Sequence, residues 1–167
     1  MSNHSAKLIR PFVSEAGLLE IESLLLMYPE NEKQSAVMRA LMIIQEEQGY
    51  LTTDAMDAVA VYLGMPAVAV YEVATFYSMY ELKPIGRHLV NVCDNISCKL
   101  RHSASVVTHL EKKLAIKLGE TTADGRFTLR SVECLGACVN APMMQVDKDY
   151  HENLTAEKID AVLEDYQ

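Results

Sequence analysis

The first half of the chain repeats its apolar residues with the period of an amphipathic helix. The first such segment ends at Pro29 and the second at Gly49, since both residue types favour helix ends. A third segment has a helix cap at Thr53–Asp54 and ends at Gly64, and Pro66 can open a fourth. The pattern therefore predicts four consecutive helices with short joints, which form a helical lobe. The first two helices carry apolar residues at Leu18, Ile21, Leu24, Leu25 and Tyr28, then at Val37, Ala40, Leu41 and Ile44.

The second half has the pattern of strands alternating with helices. Residues 88–93 alternate apolar and polar side chains and predict a strand, as do residues 127–132 and, more briefly, residues 143–146. Residues 99–115 place apolar side chains on one helical face, and Thr155 can cap a last helix. The order strand, helix, strand, strand, helix predicts an α/β layer arrangement that is compatible with a thioredoxin-like sheet.

A turn-rich break separates the two halves of the chain at Lys83-Pro84-Ile85-Gly86. We therefore expect two domains, a helical lobe over residues 1–83 and a strand-containing domain over residues 84–167. Because the chain has 167 residues, it is long enough for a domain with a smaller lobe attached.

Composition and charge narrow the classes of partner. Half of the residues are hydrophobic, as in a globular protein, and the formal net charge is −8. That charge argues against binding to nucleic acid or to anionic membranes, since both are bound through an excess of Lys and Arg. No segment approaches the ~20 apolar residues that a membrane span needs. The N-terminus lacks the apolar stretch of a secretory signal, so we expect a cytoplasmic protein.

Four cysteines carry the candidate chemistry, and all of them lie in the second half. Cys93 and Cys98 form a C-x4-C pair, Cys134 and Cys138 form a C-x3-C pair, and 35 residues lie between the two pairs. Each pair begins at the end of a predicted strand. If the two strands are parallel neighbours, their following loops reach the same edge of the sheet, where four thiolates could converge. Gly136 allows the backbone a positive φ there, with its N–H free to point at sulfur.

The spacing alone leaves several uses for these thiols open. Cytosolic cysteines are normally reduced, so a metal site or catalysis is more common than disulfides. Four Cys ligands suit either a tetrahedral zinc ion or a [2Fe–2S] cluster, and composition does not separate iron from zinc. A dithiol catalyst of the thioredoxin kind needs C-x-x-C, which this chain lacks. The chain also lacks the G-x-G-x-x-G and P-loop motifs, so we expect no NADH or flavin site on this chain alone.

Four sequence motifs together resemble a known family. They are NVCDNISC (residues 91–98), ECLGACVNAP (133–142), GETTADGRFTL (119–129) and ATFYSMYELKPIGRH (74–88). The chain is similar over about residues 33–156 to the small thioredoxin-like [2Fe–2S] subunit of NADH:quinone oxidoreductase, the NuoE type of respiratory complex I. The fold class that the resemblance implies is α+β or α/β, with an N-terminal helical lobe followed by a thioredoxin-like [2Fe–2S] ferredoxin domain.

The resemblance also implies a cofactor and its ligands. One [2Fe–2S] cluster is expected, with Cys93, Cys98, Cys134 and Cys138 as both cofactor-binding and metal-ligating residues; no catalytic residue is expected on this chain. The cluster gains a negative charge when it is reduced. Lys99, Arg101 and His102, which follow the second cysteine, are therefore expected to oppose that charge.

The partners that the resemblance implies are other chains of an oxidoreductase complex. In the family, this subunit docks on a flavoprotein subunit that carries FMN, the NADH site and a [4Fe–4S] cluster, together with other peripheral-arm subunits. Single electrons pass between the cluster of the small subunit and that flavin, and the small subunit is peripheral to the inner membrane through its complex. Two alternatives stay open. One is the equivalent subunit of an NAD-linked hydrogenase or formate dehydrogenase, and the other is a four-cysteine zinc interaction domain that has no redox function.

Overall fold

The computed structural model describes residues 7–166 and divides the chain into two compact units. One unit extends to Pro84, and the other begins at Ile85. That the two units fold as separate domains stays a prediction. No helix within residues 7–166 is long and apolar enough to cross a membrane.

The first unit is helical. From residue 15 onward it contains four α-helices, with a 3-10 segment between the first two, and residues 7–9 are also helical. They are α1 (Glu15–Leu25), the 3-10 segment Glu30–Ala36, α2 (Val37–Gln48), α3 (Thr53–Leu63) and α4 (Ala67–Phe76). The four predicted helices are therefore present, and the 3-10 segment fills the joint that follows Pro29.

The ends of these helices follow from local capping chemistry. The α3 cap is Thr52, whose hydroxyl accepts a hydrogen bond from the N–H of Ala55 at 3.1 Å, one residue before the predicted cap. Helix α2 ends at Gly49 and α3 at Gly64, as the sequence indicates. Helix α4 stops at Phe76 because the backbone of the next residue is already extended.

Helices α1 and α2 are joined at the N-terminus of α1. Ser14 caps α1 by accepting from the N–H of Gly17 at 3.1 Å. The Glu47 carboxylate of α2 in turn accepts from the Ser14 hydroxyl at 2.7 Å and from the Ser14 N–H at 2.5 Å. A carboxylate at a helix N-terminus is favourable because it meets unpaired N–H groups and the positive end of the helix dipole.

The second unit contains the sheet. Its elements are β1 (His88–Cys93), α5 (Ile96–Leu100), α6 (Ser103–Leu114), β2 (Phe127–Val132), the 3-10 segment Cys138–Asn140, β3 (Met144–Val146), β4 (Asp149–His151) and α7 (Ala156–Asp165). The strand order is β2-β1-β3-β4. Strands β1 and β2 are parallel over their whole length, whereas β3 runs antiparallel to β1 and β4 antiparallel to β3.

Two elements of this unit differ from the sequence prediction. The helix expected over residues 99–115 is divided into α5 and α6, because His102 has a left-handed φ of 66° that interrupts helical bonding. Strand β4 was not predicted. Its residues Asp149, Tyr150 and His151 are exposed or partly buried, so it lacks the apolar alternation that signals a strand.

The core of the second unit lies between the sheet and its helices. Val90, Val92 and Leu129 on the strands are 0% exposed, and Leu110 of α6 and Ile159 of α7 belong to the same buried cluster. The two helices are also joined by polar contacts, since Asp160 lies 2.8 Å from His109 and 3.4 Å from Lys113. This packing holds the strands whose ends carry the cysteines.

Candidate metal centre

Parallel pairing of β1 and β2 brings both cysteine loops to one edge of the sheet. Cys93 is the last residue of β1 and stands opposite Val132, the last residue of β2. Cys134 follows two residues later. The prediction that the loops after two parallel strands share an edge is confirmed.

The first loop turns its second cysteine inward. Asn95 caps the short helix α5 by accepting from the N–H of Ile96 at 2.8 Å. Cys98 lies on that helix and is 1% exposed, while Cys93 is 2% exposed. Both thiols belong to one buried group with Ala141 and Met143. The first pair of cysteines therefore forms the inner half of the site.

The second loop keeps its cysteines at the surface. Cys134 and Cys138 are both exposed. Between them, Gly136 has a φ of 80°, and its N–H donates to the Cys134 sulfur at 3.4 Å. Leu135 and Ala137 pack against the buried group that holds the inner pair. The loop thus points its apolar residues inward while its sulfur atoms stay accessible.

The surroundings of Cys98 favour its neutral thiol. Burial, followed by the neighbouring Cys93 thiol, raises the pKa of Cys98 to about 11, and Cys138 acts in the same direction. Cys98 therefore interacts with a cysteine of each loop. A thiolate at this position needs a compensating positive charge, which a metal centre supplies.

The donor set fits a binuclear cluster. The chain offers one pair of thiols from each loop, and a [2Fe–2S] core divides four cysteine ligands between two irons. Within residues 7–166, no group of three or more His, Cys, Asp or Glu side chains is arranged to hold a metal ion. The fit rests on the paired donors, on the buried inner half and on the N–H donor at Gly136.

Met143 contributes its backbone to the site, although sequence analysis did not assign it there. The Met143 carbonyl accepts from the N–H of Cys93 at 3.2 Å, and the backbone of Met143 also interacts with the Cys98 thiol. Met143 thus lies among the cysteines, while its neighbour Met144 packs in the sheet core. Nothing in the sequence separates two adjacent methionines, because only the direction of each side chain from the sheet decides their surroundings.

One of the three basic residues after Cys98, Lys99, has its charge partly neutralised. Lys99 Nζ lies 3.3 Å from Asp94 Oδ2, so its charge is shared with a carboxylate of the same loop. Arg101 and His102 are exposed, and the N–H of Arg101 donates to the carbonyl of Cys98 at 3.1 Å. Because aspartate is common in loops, nothing in the sequence around Asp94 indicates its ion pair with Lys99.

Comparison with protein families gives a match over most of the chain. The family model of thioredoxin-like [2Fe-2S] ferredoxins matches residues 21–167. That range includes both cysteine pairs and most of the helical unit.

Individual relatives agree with this match. The NADH-quinone oxidoreductase E 2 subunit of Rhizobium meliloti (strain 1021) is 51% identical over 148 residues, which is 89% of this chain and 87% of the relative. The NADH-quinone oxidoreductase E subunit of Rickettsia typhi (strain ATCC VR-144 / Wilmington) is 46% identical over 146 residues, covering 87% of this chain and 86% of the relative.

A solved structure shares the fold. An NAD+-reducing [NiFe]-hydrogenase in the air-oxidised state superposes on 78% of this chain with a TM-score of 0.68 and 24% identity. This chain spans only 22% of that hydrogenase chain. The likeness therefore concerns the fold of one segment of a longer protein.

Proposed function

Because this chain belongs to the thioredoxin-like [2Fe-2S] ferredoxin family, we propose that it carries one [2Fe–2S] cluster and serves as an electron-transfer subunit of an NADH:quinone oxidoreductase. Its proposed ligands are Cys93, Cys98, Cys134 and Cys138. The observation that carries the proposal is the shared sheet edge, since Cys93 ends β1 opposite Val132 of its parallel neighbour β2. The choice of complex is supported by the relatives, which are subunits of that enzyme.

A bound [2Fe–2S] cluster supplies one-electron transfer. The residues of this chain would hold the cluster and control its exposure to solvent. The burial of Cys93 and Cys98 keeps water from the inner half of the site. The Gly136 N–H donates to the Cys134 sulfur, and such a donor stabilises negative charge at sulfur. The exposed pair, Cys134 and Cys138, is the side through which an external redox partner approaches.

The partner in this proposal is a flavoprotein subunit that holds FMN, the NADH site and a [4Fe–4S] cluster. The chain exchanges single electrons with that flavin and is held at the inner membrane on its cytoplasmic side through its complex, with other peripheral-arm subunits alongside. Its sequence contains no dinucleotide-binding motif, so NADH oxidation itself belongs to the partner.

The cofactor is tested on the full-length purified chain. We expect visible absorbance that bleaches on reduction with dithionite, with about two iron and two acid-labile sulfide per chain. Replacing any of the four cysteines by Ser should remove or alter the paramagnetic signal of the reduced protein. Ser97→Ala, in the same loop, is the matched control. A colourless protein that holds zinc and no sulfide would contradict the proposal.

The partner is tested by purifying the native complex through a tag on this chain. We expect a flavin-containing subunit and NADH:quinone oxidoreductase activity to accompany it. Recovery of hydrogenase or formate dehydrogenase subunits instead would assign the same cluster to a different NAD-linked complex.

A further inference from the structure

Asp94 contacts three separate parts of the second unit. It directly follows Cys93, and its N–H donates to the carbonyl of Val132 at 2.9 Å. Its Oδ1 accepts from the Ser103 hydroxyl at 3.2 Å. Its Oδ2 lies 3.3 Å from Lys99 Nζ. One residue therefore contacts the end of β2, the start of α6 and the residue after Cys98.

The hydrogen bond between Asp94 and Ser103 involves a buried hydroxyl. Ser103 is 0% exposed, although it is a polar residue at the first position of α6. A buried hydroxyl needs a hydrogen-bond partner, and a charged acceptor gives a stronger bond than a neutral one. The Ser103–Asp94 bond therefore fixes the first cysteine loop to the helix that packs on the sheet.

The backbone contact with Val132 joins the two loops. Asp94 begins the loop that leads to Cys98, and Val132 is the last residue before the loop that leads to Cys134. Their 2.9 Å hydrogen bond continues the parallel pairing one step past the end of β1. It therefore sets the separation at which the two loops leave the sheet.

The contact with Lys99 balances charge beside the thiols. Asp94 follows Cys93 and Lys99 follows Cys98, so each cysteine of the inner pair precedes one charged residue. The Asp94 side chain is 36% exposed and the Lys99 side chain is 62% exposed, so solvent weakens the attraction between the two charges, which still lie in contact at 3.3 Å. As long as the pair is intact, the Asp94 carboxylate partly cancels the positive potential that Lys99 creates at the cysteines.

From these contacts we infer that Asp94 is a positioning residue for the four-cysteine site, and that its pairing with Lys99 sets the reduction potential of the centre held there. The inference rests on the proposed function. Asp94 acts through its hydrogen bonds and its charge, without being a ligand. Two of its contacts fix the positions of the two cysteine loops, and the third sets the charge beside them.

The charges of the ion pair predict that variants of Asp94 and Lys99 shift the midpoint potential in opposite directions. Asp94→Asn keeps the size of the side chain and an oxygen for Ser103, but it leaves the Lys99 charge unpaired, so the midpoint potential should rise. Lys99→Met removes the cation and leaves the carboxylate, so the potential should fall. The double variant Asp94→Asn/Lys99→Met should lie between the two single variants, near the unaltered chain.

The variant Ser103→Ala tests the positioning role of Asp94 separately from its charge. This variant removes the hydrogen bond that anchors Asp94 and changes no charge. We expect the cluster to be lost several-fold faster in air than from the unaltered chain. Ser105→Ala is the matched control, because Ser105 is exposed on the same helix. Equal rates of loss for both serine variants would overturn the positioning role.

The experiment is a redox titration of the full chain carrying its cluster, followed by electron paramagnetic resonance, with visible absorbance to measure retention. A chain that never holds iron and sulfide overturns the proposed function itself. A retained cluster whose potential is unchanged or lower in Asp94→Asn overturns only this inference. If Asp94→Asn loses its cluster, Lys99→Met decides alone: a lowered potential supports the inference, and an unchanged one overturns it.

Discussion

The thiol of Cys98 interacts with Cys93 inside the second unit, where the two residues are 1% and 2% exposed. The other pair, Cys134 and Cys138, is exposed. The candidate centre therefore has an inner and an outer half, and the two halves differ in how solvent and reagents reach their sulfur atoms.

This asymmetry predicts the order of alkylation in the cluster-free chain. Cys134 and Cys138 should react with iodoacetamide first, because thiolate formation and access both control the rate. Cys98 should react last near neutral pH, since its pKa is raised to about 11, and its rate should increase as the pH approaches that value. Timed quenching followed by peptide mass spectrometry measures the order. Modification of all four cysteines at one rate would contradict the burial of the inner pair.

A substitution at Gly136 should affect the centre more than the fold. A Cβ built at Gly136 meets no atom within 4 Å, so Gly136→Ala is not crowded by the protein, and its cost of about 1 kcal/mol comes from the positive φ of 80°. If the backbone relaxes to relieve this strain, the Gly136 N–H that donates to the Cys134 sulfur moves with it. We expect a clearly lower cluster content, with a thermal midpoint of unfolding lowered by only about 2–4 °C.

Gly119→Ala is the control for that experiment. Its φ of 87° imposes a similar strain, and a built Cβ there also meets open space. Gly119 lies in the loop before β2, away from the cysteines in sequence. Visible absorbance and circular dichroism of both variants give the comparison, and equal loss of cluster in the two would show that strain alone is responsible.

The closeness of α1 and α2 makes Gly17 sensitive to one added methyl group. An alanine in a helix normally gains up to about 1 kcal/mol over glycine. A Cβ at Gly17, however, would lie 2.6 Å from Val13 Cγ2 and 2.9 Å from Ile43 Cγ2, and against the Glu47 carboxylate. We therefore expect Gly17→Ala to lower the free energy of unfolding by about 1–3 kcal/mol, as overpacked sites do.

Urea unfolding followed by circular dichroism measures this loss. Ser23→Ala, on the exposed surface of α1, is the control and should be neutral or slightly stabilising. If Gly17→Ala stabilised the chain as much as an ordinary helix substitution does, the close approach of the two helices would be wrong.

Partial burial of His151 predicts a pH dependence of stability. Burial lowers the pKa of His151 below its ordinary value, so between that lowered value and about 6.5 the unfolded chain binds the proton and the folded chain does not. The free energy of unfolding should therefore decrease as the pH falls through about 6.5, with a slope of less than one proton.

His151→Gln should flatten this slope, measured as urea midpoints between about pH 5 and 8. Tyr166→Phe is the control, because it removes the hydroxyl 3.3 Å from His151 Nε2 but keeps the titrating imidazole. A slope that stays the same in His151→Gln would assign the pH dependence to other groups.

Some features of the fold could be predicted because their signals are local. The strands over residues 88–93 and 127–132 and the cap at Thr155 were predicted from alternation and from capping chemistry, and the structure confirms them. Strand β4 could not be predicted, because it exists through pairing with β3 and its own residues show no apolar alternation. The break at His102 likewise depends on a backbone angle that its residue type does not require.

The sequence by itself determined the candidate donors and their order, since two cysteine pairs each follow an alternating apolar segment. It also indicated the family, because the spacing and the residues around each cysteine are local features. Only the tertiary structure decided which pair is buried, that Met143 faces the cysteines, and that Lys99 is paired with Asp94. The physical reason is that burial depends on residues far apart in the chain, which meet once parallel pairing of β1 and β2 has brought their loops to one edge. Even the Lys99–Asp94 pair, whose residues are close in sequence, depends on the backbone path of the folded loop.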